Sequence, residues 1–239
     1  MKYVSLSGGA DSVAVALLLW ERGEDFELLF SDTGAEFEET IFTVTKTADY
    51  IGKKLNVVSG GTFYQWLVHF GYLIPAPMCR WCTRLLKQQP MDKYIEKDDV
   101  NFWGIRADEP RRQTPRKKKY QVELPLVEAG YGKKEVKQLC KKHGLLNPIY
   151  ITGGGRTNTS CFCCFFQRKA DWKWLLKNKP LYFQLAEQWE NMSINEAIKK
   201  GENPWGIHQN YTLEQFRKAD EKQLKLFPEI IEKPCLICQ

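Results

Sequence analysis

The 239-residue sequence has no long apolar run. Nowhere do about eighteen apolar residues follow one another, the length that a membrane-spanning helix needs. The opening MKYVSLSGG lacks the hydrophobic segment and cleavage site of a secretory signal peptide, and no internal repeat shows. A composition of 43% apolar and 27% charged residues excludes a disordered or fibrous chain. We therefore expect a cytoplasmic globular protein.

The charge is moderately basic. A formal net charge of +6 favours an anionic ligand, nucleotide or nucleic acid, without choosing between them. The densest basic run comprises Arg111, Arg112, Arg116, Lys117, Lys118 and Lys119, broken by Pro110 and Pro115. This run predicts a basic loop, which is either an anion contact or an ordinary solvated surface.

Eight cysteines in a chain expected in the reducing cytoplasm indicate metal or redox sites rather than a disulfide framework. Cys79 and Cys82 form one C-x-x-C pair, and Cys161 and Cys164 repeat the spacing, with Cys163 as an extra thiol. Four such thiolates suit zinc or a four-iron cluster, and the spacing by itself favours structural zinc. The tail pair Cys235 and Cys238 is a redox pair, a metal half-site or an unimportant end.

The segment Ser5-Leu6-Ser7-Gly8-Gly9-Ala10-Asp11-Ser12 lies between an apolar strand pattern and a helical apolar run, Val13 to Trp20. Glycines let the chain turn sharply, and the free N–H groups of a helix start attract phosphate. Two glycines alone are weak evidence, because tight strand-to-helix turns are common in α/β proteins.

Further apolar runs predict strands at residues 26–34, 53–58 and 100–106, the first ending in Asp32-Thr33-Gly34, and the strand-helix-strand order implies a parallel sheet. Ligands bind at the carboxyl ends of such strands. Asp32 stands at one of these ends, where it contacts a nucleoside or metal, or caps a helix. Arg106 and Arg111 follow the end of another predicted strand, and their guanidinium groups are suited to binding phosphate or sulfate.

The rest of the chain predicts helices. One helix is expected between Pro125 and Leu146, at residues 133–144, with Cys140 in the core. From Phe166 onward the sheet signals stop, and a small helical core is expected around the tryptophans, with base stacking as the alternative. Capping boxes are predicted at residues 193–196 and 212–215.

Four motifs resemble known families. The Ser7–Ser12 string resembles the SGGxDS signature of the PP-loop, the pyrophosphate-binding turn of the adenine nucleotide α-hydrolase superfamily, although Ala10 stands where many members have Lys. Asp32-Thr33-Gly34 and Gly104-x-Arg106-x-x-Glu109-x-x-Arg112 resemble the phosphoadenosine phosphosulfate (PAPS) reductase family. Residues 147–164 resemble the cysteine segment of adenylyl-sulfate reductases and DNA phosphorothioation sulfurtransferases.

This resemblance covers roughly residues 1–168 and implies an α/β, Rossmann-like HUP-type fold. A mostly parallel five-stranded sheet is sandwiched by helices, followed by a helical C-terminal region, residues 169–239. It implies a nucleotide site comprising Ser5, Ser7, Gly8, Gly9, Asp11, Ser12, Asp32, Gly34, Lys87 and Arg156, with Asp11, Arg106 and Arg112 catalytic. It also changes the preferred metal from zinc to a 4Fe-4S cluster held by Cys79, Cys82, Cys161 and Cys164.

The resemblance therefore implies an enzyme that binds ATP or another adenylyl nucleotide, acts at its α-phosphate and couples this to sulfur transfer. A sulfonucleotide reductase is the second candidate, and a nucleic-acid-binding regulatory protein with a structural cluster is a third. The resemblance leaves open whether the protein binds Mg²⁺, whether it uses a protein that donates electrons or sulfur, and whether it forms a homodimer. The acceptor is a sulfated nucleotide, transfer RNA or DNA.

Overall fold

The computed structural model describes residues 1–114, 117–152, 156, 159, 161–208 and 210–226. Its centre is a five-stranded sheet with strand order β3-β2-β1-β4-β5 and every pair parallel. The strands are β1 (Lys2–Ser5), β2 (Glu27–Asp32), β3 (Leu55–Ser59), β4 (Val100–Phe102) and β5 (Gln121–Glu123). The expected α/β fold is confirmed, and the sheet is wholly parallel.

Helices cover both faces of this sheet, as a parallel sheet requires. On one face α1 (Ala10–Glu21), α2 (Glu38–Ile51), α6 (Pro125–Glu128) and α7 (Lys133–Lys142) bury the main apolar core. Residues 12–19 of α1 are buried on all sides, because this helix is enclosed between the sheet and its neighbours. The hydrophobic run after the glycines is therefore a core helix.

The other face carries a helical segment with an irregular centre. After α3 (Phe63–His69), the short α4 (Trp81–Thr83) continues through a π-helical turn, Arg84–Gln88, into α5 (Gln89–Tyr94). The hydroxyl of Ser31 in β2 donates to the Leu86 carbonyl at 2.6 Å. Such π turns often occur at functional sites.

Two details of the expected N-terminal elements are wrong. Residues 125–146 contain two helices, α6 and α7, because Gly130 takes a left-handed conformation (φ +68°) and ends the first. The strand expected at residues 100–106 stops at Phe102, because the Gly104 backbone leaves the sheet to pack against α1.

The C-terminal region is helical, as expected, with α8 (Ile149–Thr152), α9 (Lys169–Asn178), α10 (Pro180–Lys199) and α11 (Leu213–Leu226). Trp172, Trp174 and Trp189 are buried in a second apolar cluster, whereas Trp205 is 44% exposed. This cluster also contains Phe37 and Phe63, so it joins the two sides of residue 168, and the domain division there stays a prediction.

The two capping predictions have opposite outcomes. Thr212 and Gln215 form a capping box at the start of α11, with bonds of 3.0 and 3.2 Å. Ser193 lies inside α10, so no helix begins at residues 193–196 and the capping box predicted there is wrong. Within the described ranges, no helix is both long and apolar enough to cross a bilayer.

Gly8 has two separate reasons to be glycine. Its φ is +70°, and a Cβ there would lie 2.8 Å from Thr40 Cγ2 and 2.9 Å from the Thr40 carbonyl oxygen of α2. Gly52 has a similar φ of +63° with no atom within 4 Å of its Cβ position. Comparing substitutions at Gly8 and Gly52 therefore separates the cost of backbone strain from the cost of close packing.

We expect Gly8→Ala to reduce the free energy of unfolding more than Gly52→Ala. Left-handed strain costs both variants about 1–2 kcal/mol, and overpacking against α2 costs Gly8→Ala about 1–3 kcal/mol more. Urea denaturation of both variants measures the difference. Equal destabilisation would contradict the close packing of Gly8 on α2.

Candidate functional site

The loop between β1 and α1 is held by the hydroxyl of Ser12. This oxygen accepts from the Ser7 N–H at 3.0 Å, donates to the Gly9 carbonyl at 3.0 Å and lies 3.1 Å from the Ser7 hydroxyl. Ser12 is only 5% exposed. Its hydroxyl therefore shapes the loop from within, while the N–H groups at the α1 start form the anion-attracting end.

Two residues that the sequence motifs do not single out support this loop from outside. The fully buried Asn147 donates from Nδ2 to the Gly8 carbonyl at 3.0 Å and accepts the Ile149 N–H at 3.0 Å. The Tyr150 hydroxyl accepts the Ala10 N–H at 3.3 Å. These partners lie about 140 positions apart in the chain, so no local pattern indicates the contact.

Cys140 also contacts the loop. It is buried, and its Sγ donates to the Ala10 carbonyl at 3.3 Å. Burial raises the pKa of its thiol to about 12. This agrees with the expected core position and leaves Cys140 a neutral thiol.

An ionic network joins the loop to the segment after β4. Arg106 bonds to Asp11 at 2.9 Å and to Asp108 at 2.8 Å, and its Nη2 lies 3.5 Å from Glu109. Glu109 also binds Arg112 at 3.1 Å. The motif residues are therefore brought together as mutual partners: Glu109 orients both arginines.

Burial raises the pKa of the Asp11 carboxyl, and the neighbouring Arg106 guanidinium opposes that rise. Arg106 is 17% exposed on its side chain, whereas Arg112 is 58% exposed and free to meet a ligand. Arg106 thus holds Asp11 as an anion, and Arg112 is the more accessible cation.

A cleft of about 540 Å³ opens beside the loop, and we call it the loop cleft. Predicted site residues on its wall are Ser5, Ser7, Gly9, Asp11, Ser12, Lys87, Arg112 and Cys164. Among the described residues, Gly8, Asp32, Gly34, Arg106 and Arg156 are predicted positions that do not line it.

The cleft floor has a second polar group that no motif indicates. Asp92 on α5 binds the Lys118 ammonium at 2.7 Å and accepts from the Tyr120 hydroxyl at 2.7 Å. The Ser5 hydroxyl donates to Asn101 on β4 at 2.9 Å. Lys118, part of the basic run, is therefore a paired wall residue of the cleft rather than a solvated loop residue.

The thiols gather in an adjoining cavity of about 220 Å³, the cysteine pocket. Its wall includes Cys82 and three thiols of the residue 161–164 loop: Cys161, Cys163 and Cys164. Lys87, Cys164 and Phe166 line both cavities. Lys87, which lies in the π-helical turn, therefore connects the loop cleft with the thiols.

The cysteine pocket disfavours unpaired thiolates. Burial, followed by the charges of Cys161 and Cys164, raises the pKa of Cys82 to about 11, and the same causes raise the pKa of Cys163 well above its usual value. Cys161 raises the pKa of the Lys87 ammonium; Lys87 is open to the cleft, although the walls partly desolvate it. A bound cation would supply the charge that thiolates need here.

The predicted set of four cysteines is only partly assembled. Cys79 packs against the same apolar cluster but does not line the pocket, whereas Cys163 does. In the part of the chain that is described, no group of three or more His, Cys, Asp or Glu side chains is arranged to hold a metal ion. The donors fit a thiophilic metal in kind and location, while the closed ligand set stays a prediction.

The Asp32-Thr33-Gly34 loop lies beside the thiols. Asp32 accepts the Gly34 N–H at 2.9 Å, and the Thr33 hydroxyl donates to Glu36 at 2.6 Å while lying 3.7 Å from Cys161 Sγ. The Phe162 N–H donates to the Ala35 carbonyl at 3.1 Å. This loop therefore supports the cysteine loop directly, a role the motif alone does not indicate.

Arg156 lies away from the cleft, with 2% exposure. It bonds to Gln167 at 2.9 Å, and Gln167 donates to the Phe162 carbonyl at 2.5 Å. Its guanidinium is buried over the Phe37 and Trp174 rings, and the nucleotide contact of Arg156 stays a prediction. Residues 153–155 and the tail cysteines, Cys235 and Cys238, lie outside the described residues.

The chain is similar to known proteins. The family model described as "Phosphoadenosine phosphosulfate reductase domain" matches residues 2–146. Two uncharacterized proteins of Methanocaldococcus jannaschii are similar: MJ0066, 30% identical over 82% of this chain, and MJ0973, 39% identical over 39% of it. The chain spans 42% and 22% of their lengths, respectively.

Among solved structures, a phosphoadenylyl-sulfate (PAPS) reductase from Candida auris, in complex with phosphate, is similar. The TM-score is 0.49 at 14% identity, covering 64% of this chain and 77% of that one.

The contact between Asn147 and Gly8 yields a test of the loop support. We expect Asn147→Ala to lower the free energy of unfolding by about 1–3 kcal/mol, because it leaves the buried Gly8 carbonyl unpaired. It should also weaken pyrophosphate binding, measured by calorimetry, because the loop loses its anchor. Asn56→Ala is the control. Asn56 lies on the edge strand β3, where its Nδ2 donates to the Leu28 carbonyl of β2, so its replacement should leave pyrophosphate affinity unchanged. Unchanged affinity in both variants would contradict the anchoring role.

Proposed function

The chain belongs to the phosphoadenosine phosphosulfate reductase domain family, and on that premise we propose an enzyme that binds ATP or another adenylyl nucleotide in the loop cleft. The nucleotide phosphates lie on the α1 start and the backbone of residues 8–12. The single observation that carries the proposal is the glycine loop opening onto a cleft whose wall continues, through Lys87, into the cysteine pocket.

In the proposed reaction, an acceptor nucleophile bonds to the α-phosphorus while the bond from that phosphorus to the oxygen that bridges to the β-phosphate breaks, and pyrophosphate leaves with that oxygen. With water as acceptor, the products are AMP, pyrophosphate and a proton. Arg112 and Lys87 face the charge that develops on the phosphate oxygens, and Arg106 acts through Asp11, which it holds in place.

ATP is favoured over a sulfonucleotide by the intact Ser-Gly-Gly-x-Asp-Ser string of residues 7–12. The two carboxylates on the cleft wall, Asp11 and Asp92, are each paired with a cation, Arg106 and Lys118. Lys87 and the exposed Arg112 therefore meet the phosphates. Sulfonucleotide reduction stays the second candidate.

We further propose that Cys79, Cys82, Cys161 and Cys164 hold a 4Fe-4S cluster beside the nucleotide. Such a cluster would supply redox or sulfur chemistry within reach of the acceptor. The chain's own contribution is a dry thiol pocket, with the Asp32-Thr33-Gly34 loop behind Cys161 and with Lys87 as the neighbouring cation. Zinc in the same site is the competing outcome.

Incubation with ATP labelled at the α-phosphate tests the nucleotide proposal. We expect AMP and pyrophosphate in equal amounts. Turnover should fall by at least about 100-fold in Asp11→Asn, because Arg106 loses the carboxylate partner through which it acts. Asp25→Asn, which breaks a surface pair with Lys53, is the matched control and should turn over normally. Oligonucleotide binding without any ATP cleavage would favour the regulatory protein instead.

Anaerobic purification tests the metal proposal. We expect a brown protein with about four irons and matching sulfide per chain, and loss of colour after Ser substitution at Cys79, Cys82, Cys161 or Cys164. Cys140→Ser is the control, since this thiol is bonded inside the core. Comparing Cys79→Ser with Cys163→Ser identifies the fourth ligand. A colourless protein with one zinc per chain would contradict the cluster and leave ATP cleavage standing.

A further inference from the structure

The two cysteine-bearing segments carry no carboxylate. No Asp or Glu occurs from residue 50 to residue 91, nor from residue 136 to residue 170, although acidic residues are frequent elsewhere. The same segments contain Arg80, Arg84, Lys87, Arg168 and Lys169, of which Arg80 and Lys87 line the pocket and Arg168 is paired with Asp171. The Glu36 carboxylate, 3.9 Å from Cys161 Sγ, accepts from the Thr33 hydroxyl. A surface built this way attracts a polyanion to the cysteine pocket.

The rim of this pocket also presents an open aromatic ring. Phe166 is 53% exposed, lines both cavities and packs on Phe165 with ring centroids 4.4 Å apart. The Arg80 guanidinium carbon lies 5.3 Å from the Phe166 centroid. An exposed ring beside a planar cation is a platform on which a nucleobase stacks.

From this placement we propose that the rim of the cysteine pocket at Arg80 and Phe166, together with the exposed Arg84 and Lys169 close to them in the chain, binds a single-stranded nucleic acid as the acceptor. The proposal rests on the proposed function, of which it specifies the acceptor class. The base stacks on Phe166, and the backbone phosphates meet the arginines and the lysine.

The location of the thiols favours a nucleic acid strand over a folded acidic protein. Cys82, Cys161 and Cys164 lie inside a narrow concavity with apolar walls that include Phe63, Pro75 and Leu86. A folded protein surface cannot approach thiols held inside such a concavity, whereas a single base that stacks on Phe166 at its mouth can. Unpaired, splayed bases are also the elements that proteins read in single strands.

The extent of the basic surface favours a chain over a mononucleotide. Arg80 lines the pocket, whereas the exposed Arg84 and Lys169 do not. Lys169 lines a second groove beside Tyr211 and Phe216, where Lys173 is paired with Asp220. Within the described residues, Arg80, Arg84 and Lys169 form no ion pair with a carboxylate, so their charges are available to phosphates.

Fluorescence anisotropy with labelled oligothymidylate and oligouridylate of about twelve nucleotides tests the surface, using the full chain without ATP. We expect binding that strengthens with strand length, and a loss of affinity of roughly 10- to 100-fold in Phe166→Ala. Comparing the two oligomers distinguishes DNA from RNA as the source of the strand.

Phe42→Ala is the matched control. Phe42 on α2 is 54% exposed and has the Lys46 ammonium 5.7 Å from its ring centroid, yet it lines neither cavity. Its replacement should leave affinity unchanged. Replacing Arg80 and Arg84 by Ala should reduce the slope of log affinity against log salt by about 0.7 for each phosphate that these arginines neutralise in the parent chain.

Three results would overturn the proposal: equal affinity in Phe166→Ala and the parent chain, loss of binding only in Arg111→Ala or Lys117→Ala, or equal binding of polyglutamate, which would favour an acidic protein segment. Because ATP is absent from this assay, such a failure leaves ATP cleavage standing. Strand binding with no ATP cleavage would instead overturn the proposed reaction, and with it the acceptor role of the strand, while leaving the strand-binding surface standing.

Discussion

The structure depends on close backbone contact around the loop that follows β1. A Cβ on Gly104 would lie 2.9 Å from the Asp11 carbonyl carbon and from the Ser12 nitrogen, so the chain leaving β4 touches the α1 start with no room for a side chain. Gly8 is packed as closely on α2. These contacts place the free N–H groups of α1, the Arg106 network and the sheet edge at one point.

That contact also explains the ionic network. With residue 104 against α1, Arg106 reaches Asp11, and Glu109 joins Arg106 to Arg112. The arginines are thus pre-arranged by carboxylates on the protein itself, which lowers the conformational entropy that ligand binding must overcome. The same pairing leaves Arg112 as the most exposed cation of the group.

The other half of the site depends on the helical segment across the opposite face. The π-helical turn seats the Leu85 carbonyl oxygen against Gly60, where a Cβ would have no room, and it directs Lys87 into both cavities. A regular helix would shift the side chains after the turn by about 100° around the axis, since each residue of an α-helix rotates by one part in 3.6 of a turn. The shared wall of cleft and cysteine pocket therefore depends on this irregularity.

The sequence alone determined the parallel α/β fold, the glycine loop, Asp32 at a strand end, the Cys161–Cys164 loop and the burial of Cys140, Trp172, Trp174 and Trp189. Each rests on local information: apolar periodicity, glycine conformation and the rule that parallel strands end at one edge. Tertiary structure alone decided that Asn147 and Tyr150 support the loop, that Asp92 pairs with Lys118, and that Arg156 is buried beneath the cysteine loop. It also decided that Cys163, rather than Cys79, lines the pocket. The physical reason is that these positions depend on contacts between residues far apart in the chain, whose geometry follows from how helices pack on the sheet and not from any local pattern.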